Sequence, residues 1–296
     1  MLRIAIFGGT GYLASLIKNQ DDFKKNRYTF FSRKKNAKNY INNLTLKKNL
    51  DILKKFDLII HLAGPNHNQL KKNKNLIKKK NQLTTEICDL CLNHNIRLIY
   101  ISSMQIYENY GKNNLSINSK INLRNPYSQS HHQSEKIIIK KFFNHKKMFT
   151  ILRMGNVFGL KEYINLKETN NNLIHSLCVM ALKKKKILID NGSIQRTYIP
   201  SQIFIKVINY IIKNKYFKNS VINISYKNLN LKEVAQIIQK RSKLLFNLNV
   251  DIIIKKFSYK KKFSIYPNQN FKFNPINSKI YQEIDQILKF IKKIIK

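Results

Sequence analysis

A glycine turn set between an apolar run and a helical stretch constrains this chain more than any other feature. Gly8-Gly9-Thr10-Gly11-Tyr12-Leu13-Ala14 follows Leu2 to Phe7 directly. Residues without side chains let the chain turn tightly and bring its backbone up to a pyrophosphate, whose charge then meets the helix amino terminus. Ala14 is small enough for the helix to lie close on its strand. A merely structural turn could use the same glycines. The context favours binding, because the turn opens a βαβ pattern, where a dinucleotide fingerprint belongs.

That pattern continues through the first 160 residues. Leu2 to Phe7, Tyr28 to Ser32, Leu58 to Leu62, Leu98 to Ser102 and Thr150 to Arg153 read as strands, mostly apolar throughout, as parallel strands buried on both faces are. Beyond Gly159 the texture changes to polar segments and helices such as Asn172 to Leu182, and Ile280, Ile284, Ile287, Leu288, Ile291 and Ile295 form an amphipathic stripe. The expected fold is therefore α/β, a Rossmann-type doubly wound parallel sheet with a smaller α/β carboxy-terminal lobe. Residues 1–159 would bind the dinucleotide, joined by a returning segment 197–226. Residues 160–196 and 227–296 would form the substrate lobe.

A formal charge of +41, from 56 basic against 15 acidic residues, would ordinarily suggest a nucleic-acid or anionic-membrane partner. Only eight of the basic residues are arginine, and the lysines are spread through the chain beside abundant asparagine and isoleucine. Codon bias accounts for that texture. The runs Lys78 to Lys80, Lys183 to Lys186 and Lys260 to Lys262 read as solvated faces, and no nucleic-acid partner is expected. Lysines interrupt every isoleucine-rich run, so no integral membrane segment is expected either. A strand begins at once with no leader pattern before it, and the cysteines number three, Cys88, Cys91 and Cys178, too few and too odd for a disulfide framework. The expected location is the cytoplasm. Cys88 and Cys91 fall within a helical stretch and lack a second ligand pair, so no metal is proposed.

The end of the second strand distinguishes cofactors, because an acidic residue there binds the ribose 2′-hydroxyl while an arginine accommodates a 2′-phosphate. Here it reads Ser32-Arg33-Lys34. With no carboxylate and two cations, NADP(H) is favoured over NAD(H), and Arg33 is the selecting residue.

Taken in order, these motifs resemble the extended short-chain dehydrogenases, the NAD-dependent epimerase/dehydratase family of nucleotide-sugar enzymes. Gly8 to Ala14 is similar to the family's GGTGxxG turn, and Asp57 to Gly64 to its DxVIHLAA strand. Asn81 with Thr85 resembles NxxGT, and Ile99 to Tyr107 the strand that ends in paired serines. Arg153 to Gly159 is similar to RxxNVYG, and Gly192 to Pro200 to GxxxRDFV. The resemblance covers nearly the whole chain. It implies a nucleotide-sugar substrate, a homodimer through helices that flank the sheet, and cofactor contacts at Gly8, Thr10, Gly11, Tyr12, Leu13, Leu62, Ala63, Asn81, Tyr127 and the position of His131.

The resemblance also implies catalytic roles. Ser103 falls where the family places the serine that binds the reacting sugar oxygen, and Tyr127 where it has its acid/base tyrosine. Four residues on, the family has a lysine that favours the phenolate and holds the nicotinamide ribose. This chain has His131, followed by His132. An unperturbed phenol ionises near pH ~10 and needs a nearby cation to act as a base at neutrality, whereas imidazole, at ~6.5, is mostly neutral there. A tyrosine that only donates a proton must start protonated, so the replacement hurts ketone reduction less than alcohol oxidation. The reading therefore tilts toward 4-keto sugar reduction or a feeble epimerase. The alternative is a degenerate protein that binds dinucleotide or nucleotide sugar without turnover. Asn156 and Arg196 match substrate-facing positions, the arginine suited to a diphosphate. Around Pro200-Ser201-Gln202 the aspartate that the family carries is not evident.

Overall fold

The computed structural model describes residues 1–18, 27–32, 50–108, 114–146, 148–160, 172–257, 271 and 277–295, and the backbone at 40–42. They divide into two units. The first comprises residues 1–108, 119–154 and 207–223 and the second 109–118, 155–206 and 224–296.

In the first half of the chain β1 (Arg3–Phe7), α1 (Tyr12–Lys18), β2 (Arg27–Ser32), β3 (Tyr40–Asn42), α2 (Leu50–Leu53), β4 (Leu58–His61), α3 (His67–Lys72), α4 (Leu76–Asn93), β5 (Arg97–Ser103), α5 (Pro126–Lys141) and β6 (Phe149–Met154) follow one another. Then come β7 (Asn156–Phe158), α6 (Leu173–Lys184), β8 (Lys186–Asn191), β9 (Gln195–Pro200), α7 (Ser201–Lys213), β10 (Ser220–Ile224), β11 (Lys227–Asn230), α8 (Leu231–Phe246), β12 (Asp251–Lys256) and α9 (Asn277–Ile295).

The first unit is built on a seven-stranded sheet of order β10-β6-β5-β4-β1-β2-β3. The pairings β1–β2, β1–β4, β2–β3, β4–β5 and β5–β6 are all parallel. This is the doubly wound order, which reverses direction between β1 and β4, and ligands of such sheets bind outside the carboxyl ends at that switch point. The five strands read from the sequence all form, each within a residue or so of the expected ends, because Ile4, Ala5, Ile6, Leu58, Ile59, Ile60, Leu98, Ile99, Ile151 and Leu152 are fully buried.

On α4, Lys78 and Lys79 are exposed as a solvated run should be, but Lys80 is only 4% exposed. Helical spacing is the reason. Lys80 shares its face with Thr84, Ile87, Cys88 and Cys91, four, seven, eight and eleven residues on, and all of these are buried. The expected lysine face thus stops one residue early. Lys183 to Lys186 are exposed, while Lys260 to Lys262 lie outside the described residues.

The second unit holds a three-stranded sheet of order β11-β9-β7 and a parallel pair, β12 with β8. The stripe read on α9 buries Ile280, Ile284, Ile287, Leu288 and Ile291, with Ile295 half-buried. Arg241 on α8 meets Asp285 on α9 through two bonds of 2.7 and 2.5 Å. The carboxylate absent near Pro200 arrives from α9. Glu283, 1% exposed, accepts from Ser201 Oγ at 2.5 Å and from the Gln202 backbone N–H at 3.3 Å. No helix among the described residues is long and apolar enough to cross a membrane.

Candidate active site

Gly8 ends β1 with φ +92°. Its two backbone neighbours at the switch point explain why no side chain stands there: a Cβ would lie 2.8 Å from the Ala63 backbone nitrogen and 2.9 Å from the Leu62 carbonyl carbon. The turns after β1 and β4 are thereby pressed together, with Leu62 N–H bonded to Phe7 O at 2.9 Å. Gly11 N–H closes the glycine turn on Gly8 O at 2.8 Å, and the Thr10 and Ser32 hydroxyls, 2.9 Å apart, tie it to the end of β2. Tyr12 and Leu13 begin α1 half-buried.

This arrangement fits a dinucleotide. It sets a side-chain-free turn at the carboxyl end of β1, at the one place where the sheet reverses order. Gly8→Ala tests it: positive φ and collision with backbone are expected to cost about 1–3 kcal/mol and to abolish dinucleotide binding, measured by thermal unfolding and calorimetric titration. Arg33, the expected selector of the 2′-phosphate, lies outside the described residues, as does Lys34.

Tyr127 sits in the first turn of α5, whose start is specified locally. Asn125 Oδ1 accepts from Ser128 N–H at 2.9 Å, Ser128 Oγ returns toward Asn125 N–H, and Pro126 occupies the first turn, where a missing donor costs nothing. Ser103 ends β5 and caps the short turn Met104–Ile106 by accepting from Gln105 N–H at 3.2 Å.

The structure brings Ser103, Tyr127 and His131 together. Burial pushes the Tyr127 phenol above its ordinary value, and the neighbouring Ser103 hydroxyl opposes that shift without cancelling it. The Tyr127 and His131 rings meet edge to face with centroids 4.6 Å apart. His131 Nδ1 lies 3.1 Å from the Tyr100 hydroxyl. Burial, then the Lys80 ammonium and His61, hold His131 well below the usual imidazole range. Position 131, mostly neutral at physiological pH even as a free imidazole, is thereby held more firmly so. Asn81 on α4 donates to Gln133 Oε1 at 2.6 Å, and its own Oδ1 is buried without a partner.

Beneath these residues lies an ion pair. Arg153 Nη2 reaches Glu135 Oε2 at 2.7 Å and Nε reaches Oε1 at 3.1 Å, while Ser102 Oγ donates to Oε1 at 2.5 Å. Arg153 Nη1 also donates to the Tyr107 hydroxyl at 2.8 Å, and that hydroxyl donates to Asn223 Oδ1 at 2.7 Å. Burial raises the Glu135 carboxyl, but the His132 ring 3.9 Å away, bonds from Arg153 and Ser102, and the guanidinium charge outweigh it and hold the group below its usual range. The pair anchors α5 to β5 and β6.

Asn156 and Arg196 belong to the second unit, on adjacent strands. Asn156 opens β7, paired with Tyr198, and its Nδ2 is buried without a partner; Arg196 on β9 donates to Gln195 O at 2.9 Å. Sequence reasoning missed Lys80 and Tyr100, which touch the site from α4 and β5.

The sequence pattern of the NAD dependent epimerase/dehydratase family matches residues 4–225. A dTDP-D-glucose 4,6-dehydratase of Dictyostelium discoideum is 26% identical over 246 residues, 71% of this chain and 55% of that protein. The chain thus spans about half the length of that curated relative. Among solved structures, a UDP-N-acetylglucosamine 4-epimerase from Methanobrevibacter ruminantium, in complex with UDP-N-acetylmuramic acid, superposes with TM-score 0.79 at 20% identity, covering 99% of each chain. A UDP-glucuronic acid 4-epimerase variant from Bacillus cereus, bound to NAD and a fluorinated UDP-sugar, does so with TM-score 0.79 at 16% identity, covering 99% of this chain and 100% of that one. Likeness at these identities establishes the α/β Rossmann-type fold.

Proposed function

Because the chain belongs to the NAD dependent epimerase/dehydratase family, we propose that it is an oxidoreductase of nucleotide-linked sugars that works in the direction of 4-keto reduction. The observation that carries this reading is a half-buried tyrosine packed edge to face on a histidine, ring centroids 4.6 Å apart, in surroundings that raise the phenol and lower the imidazole. Such a tyrosine is ready to give a proton and badly placed to take one.

A dinucleotide held at the glycine turn would supply the hydride that the keto carbon needs. Tyr127 transfers its hydroxyl proton to the keto oxygen as that oxygen gains charge. Ser103, beside Tyr127, polarises the same oxygen, and Gly8, Thr10, Gly11, Tyr12, Leu13, Leu62, Ala63 and Asn81 line the cofactor's side. Asn156 and Arg196 hold the nucleotide sugar, where a planar guanidinium suits a diphosphate.

NADP(H) is the preferred cofactor, on the strength of Arg33 and the absence of a carboxylate at Ser32-Arg33-Lys34. Arg33→Ala is expected to weaken NADPH binding at least about tenfold with little change for NADH, since one phosphate–guanidinium contact is lost. Equal losses for both cofactors would remove Arg33 from that role.

The function itself is tested by mass spectrometry and proton NMR of products from a panel of nucleotide sugars and their 4-keto forms. Gain of two hydrogens is the expected result. An isomer of unchanged mass would make the protein an epimerase, and loss of water a dehydratase. No product despite tight dinucleotide binding would leave a binding protein.

A further inference from the structure

Lys80 is a buried charge that the reaction as described does not use. Its side chain occupies the space a methyl at Gly64 would need, with Lys80 Cε 3.1 Å from that missing Cβ. Nζ lies 5.6 Å from the centre of the Tyr100 ring and donates a long bond, 3.4 Å, to Ser130 O on α5. Among the described residues no carboxylate is within ion-pair distance of it. An ammonium taken out of water without a counter-ion is costly and seldom retained without a use. Tyr100, whose ring it faces, carries the hydroxyl against His131 Nδ1, and the His131 ring packs on that of Tyr127.

We infer that Lys80 is the cation of this site, a lysine entering from α4 that balances the negative charge left on Tyr127 when its proton passes to the sugar oxygen. The inference rests on the proposed reduction. The Tyr127 O–H bond breaks, the sugar O–H bond forms, and a phenolate remains until water reprotonates it; Lys80 keeps its own proton throughout. Lys80 acts through space and through Tyr100 and His131, so it is a positioning charge rather than a catalytic residue.

The groups facing Lys80 are His61 on β4, Tyr100 on β5, and His131 and Glu135 on α5. Burial draws Lys80 down to about 7, with Glu135 opposing. Burial and Lys80 hold His61 at about 3. His131 stays neutral, Glu135 stays ionised, and burial drives Tyr100 far above the phenol range. Of these, Lys80 alone changes charge near neutrality.

Reduction should therefore slow as pH rises through about 7, when the ammonium is lost. Lys80→Met keeps length and burial while removing the charge. It is expected to lower kcat about tenfold at pH ~6, to match the parent at pH ~9, and to lose the limb between, since a charge pair shielded from water is only partly screened. Adding His131→Lys to Lys80→Met should restore the rate at pH ~6. Loss of rate by mere disturbance of packing would be independent of pH and unrelieved by the second change. A limb that survives in Lys80→Met overturns the inference.

A second arm needs no sugar. Calorimetric titration with NADP⁺ and NADPH should show the parent gaining affinity for the positively charged oxidised form, relative to the reduced form, between pH ~6 and ~9, with Lys80→Met flat. If no sugar is turned over, the reductase reading fails while this arm still decides Lys80. A ratio equally pH-dependent in both proteins rejects it.

Discussion

Tyr127→Phe lowers kcat for keto-sugar reduction by about 10²–10⁴-fold, the span typical of a lost general acid, and leaves dinucleotide affinity within about twofold. The substitution is narrow. Phenylalanine keeps the ring that packs edge to face on His131, 4.6 Å between centroids, and deletes only the hydroxyl that meets Ser103. Packing and fold should survive, so a fall in rate reports the proton and not the scaffold. Steady-state kinetics beside calorimetric titration checks both halves. A variant as fast as the parent would show that the proton comes from elsewhere.

Glu135→Gln is expected to destabilise the first unit by about 3–5 kcal/mol, because it strands the Arg153 guanidinium in the interior. Arg153 is 5% exposed and Glu135 1%. Pairing Glu135→Gln with Arg153→Met should recover much of that loss, since an uncharged pair carries no desolvation penalty for a lone ion. The sign of the pH dependence follows from the depressed carboxyl. An unfolded glutamate takes up its proton near pH ~4.3, before the folded one does, so this stabilisation is fully present above that value and fades as pH falls through the folded value. The gap in urea midpoint between parent and variant should be full at pH ~7 and narrow only as pH falls below ~4.3.

The architecture is legible because five of the seven strands of the first sheet declare themselves locally. Ile4 to Phe7 and Leu58 to Ile60 are apolar without alternation, and a glycine turn follows the first. The short β3 at Tyr40–Asn42 carries no such run, and β8 and β12, whose Ile187 to Ile189 and Ile252 to Ile254 do, lie among lysines and bury one face at most, so neither stands out as a strand of a parallel core. Ser103, Tyr127 and His131 stand out in the sequence only through their match to the family's motifs, and the end of β5 and the first turns of α5 are where they lie. Lys80 was read as surface because three lysines in succession look solvated; only the face of α4 that it shares with Thr84 and Cys88 reveals otherwise. Nor could Glu283 be found as the partner of Ser201, since 82 residues separate them and nothing local marks the pairing.

The three cysteines are divided between the units and sealed within them. Cys88 and Cys91 lie in the first and Cys178 in the second, each with no exposed surface. Burial pushes the Cys88 thiol up to about 12 and the other two higher still, which leaves almost no thiolate for an alkylating reagent. A thiol of this kind reacts only when its surroundings open. Alkylation followed by peptide mapping therefore clocks the opening of each unit separately, Cys88 and Cys91 timing one and Cys178 the other, with no label introduced into the protein.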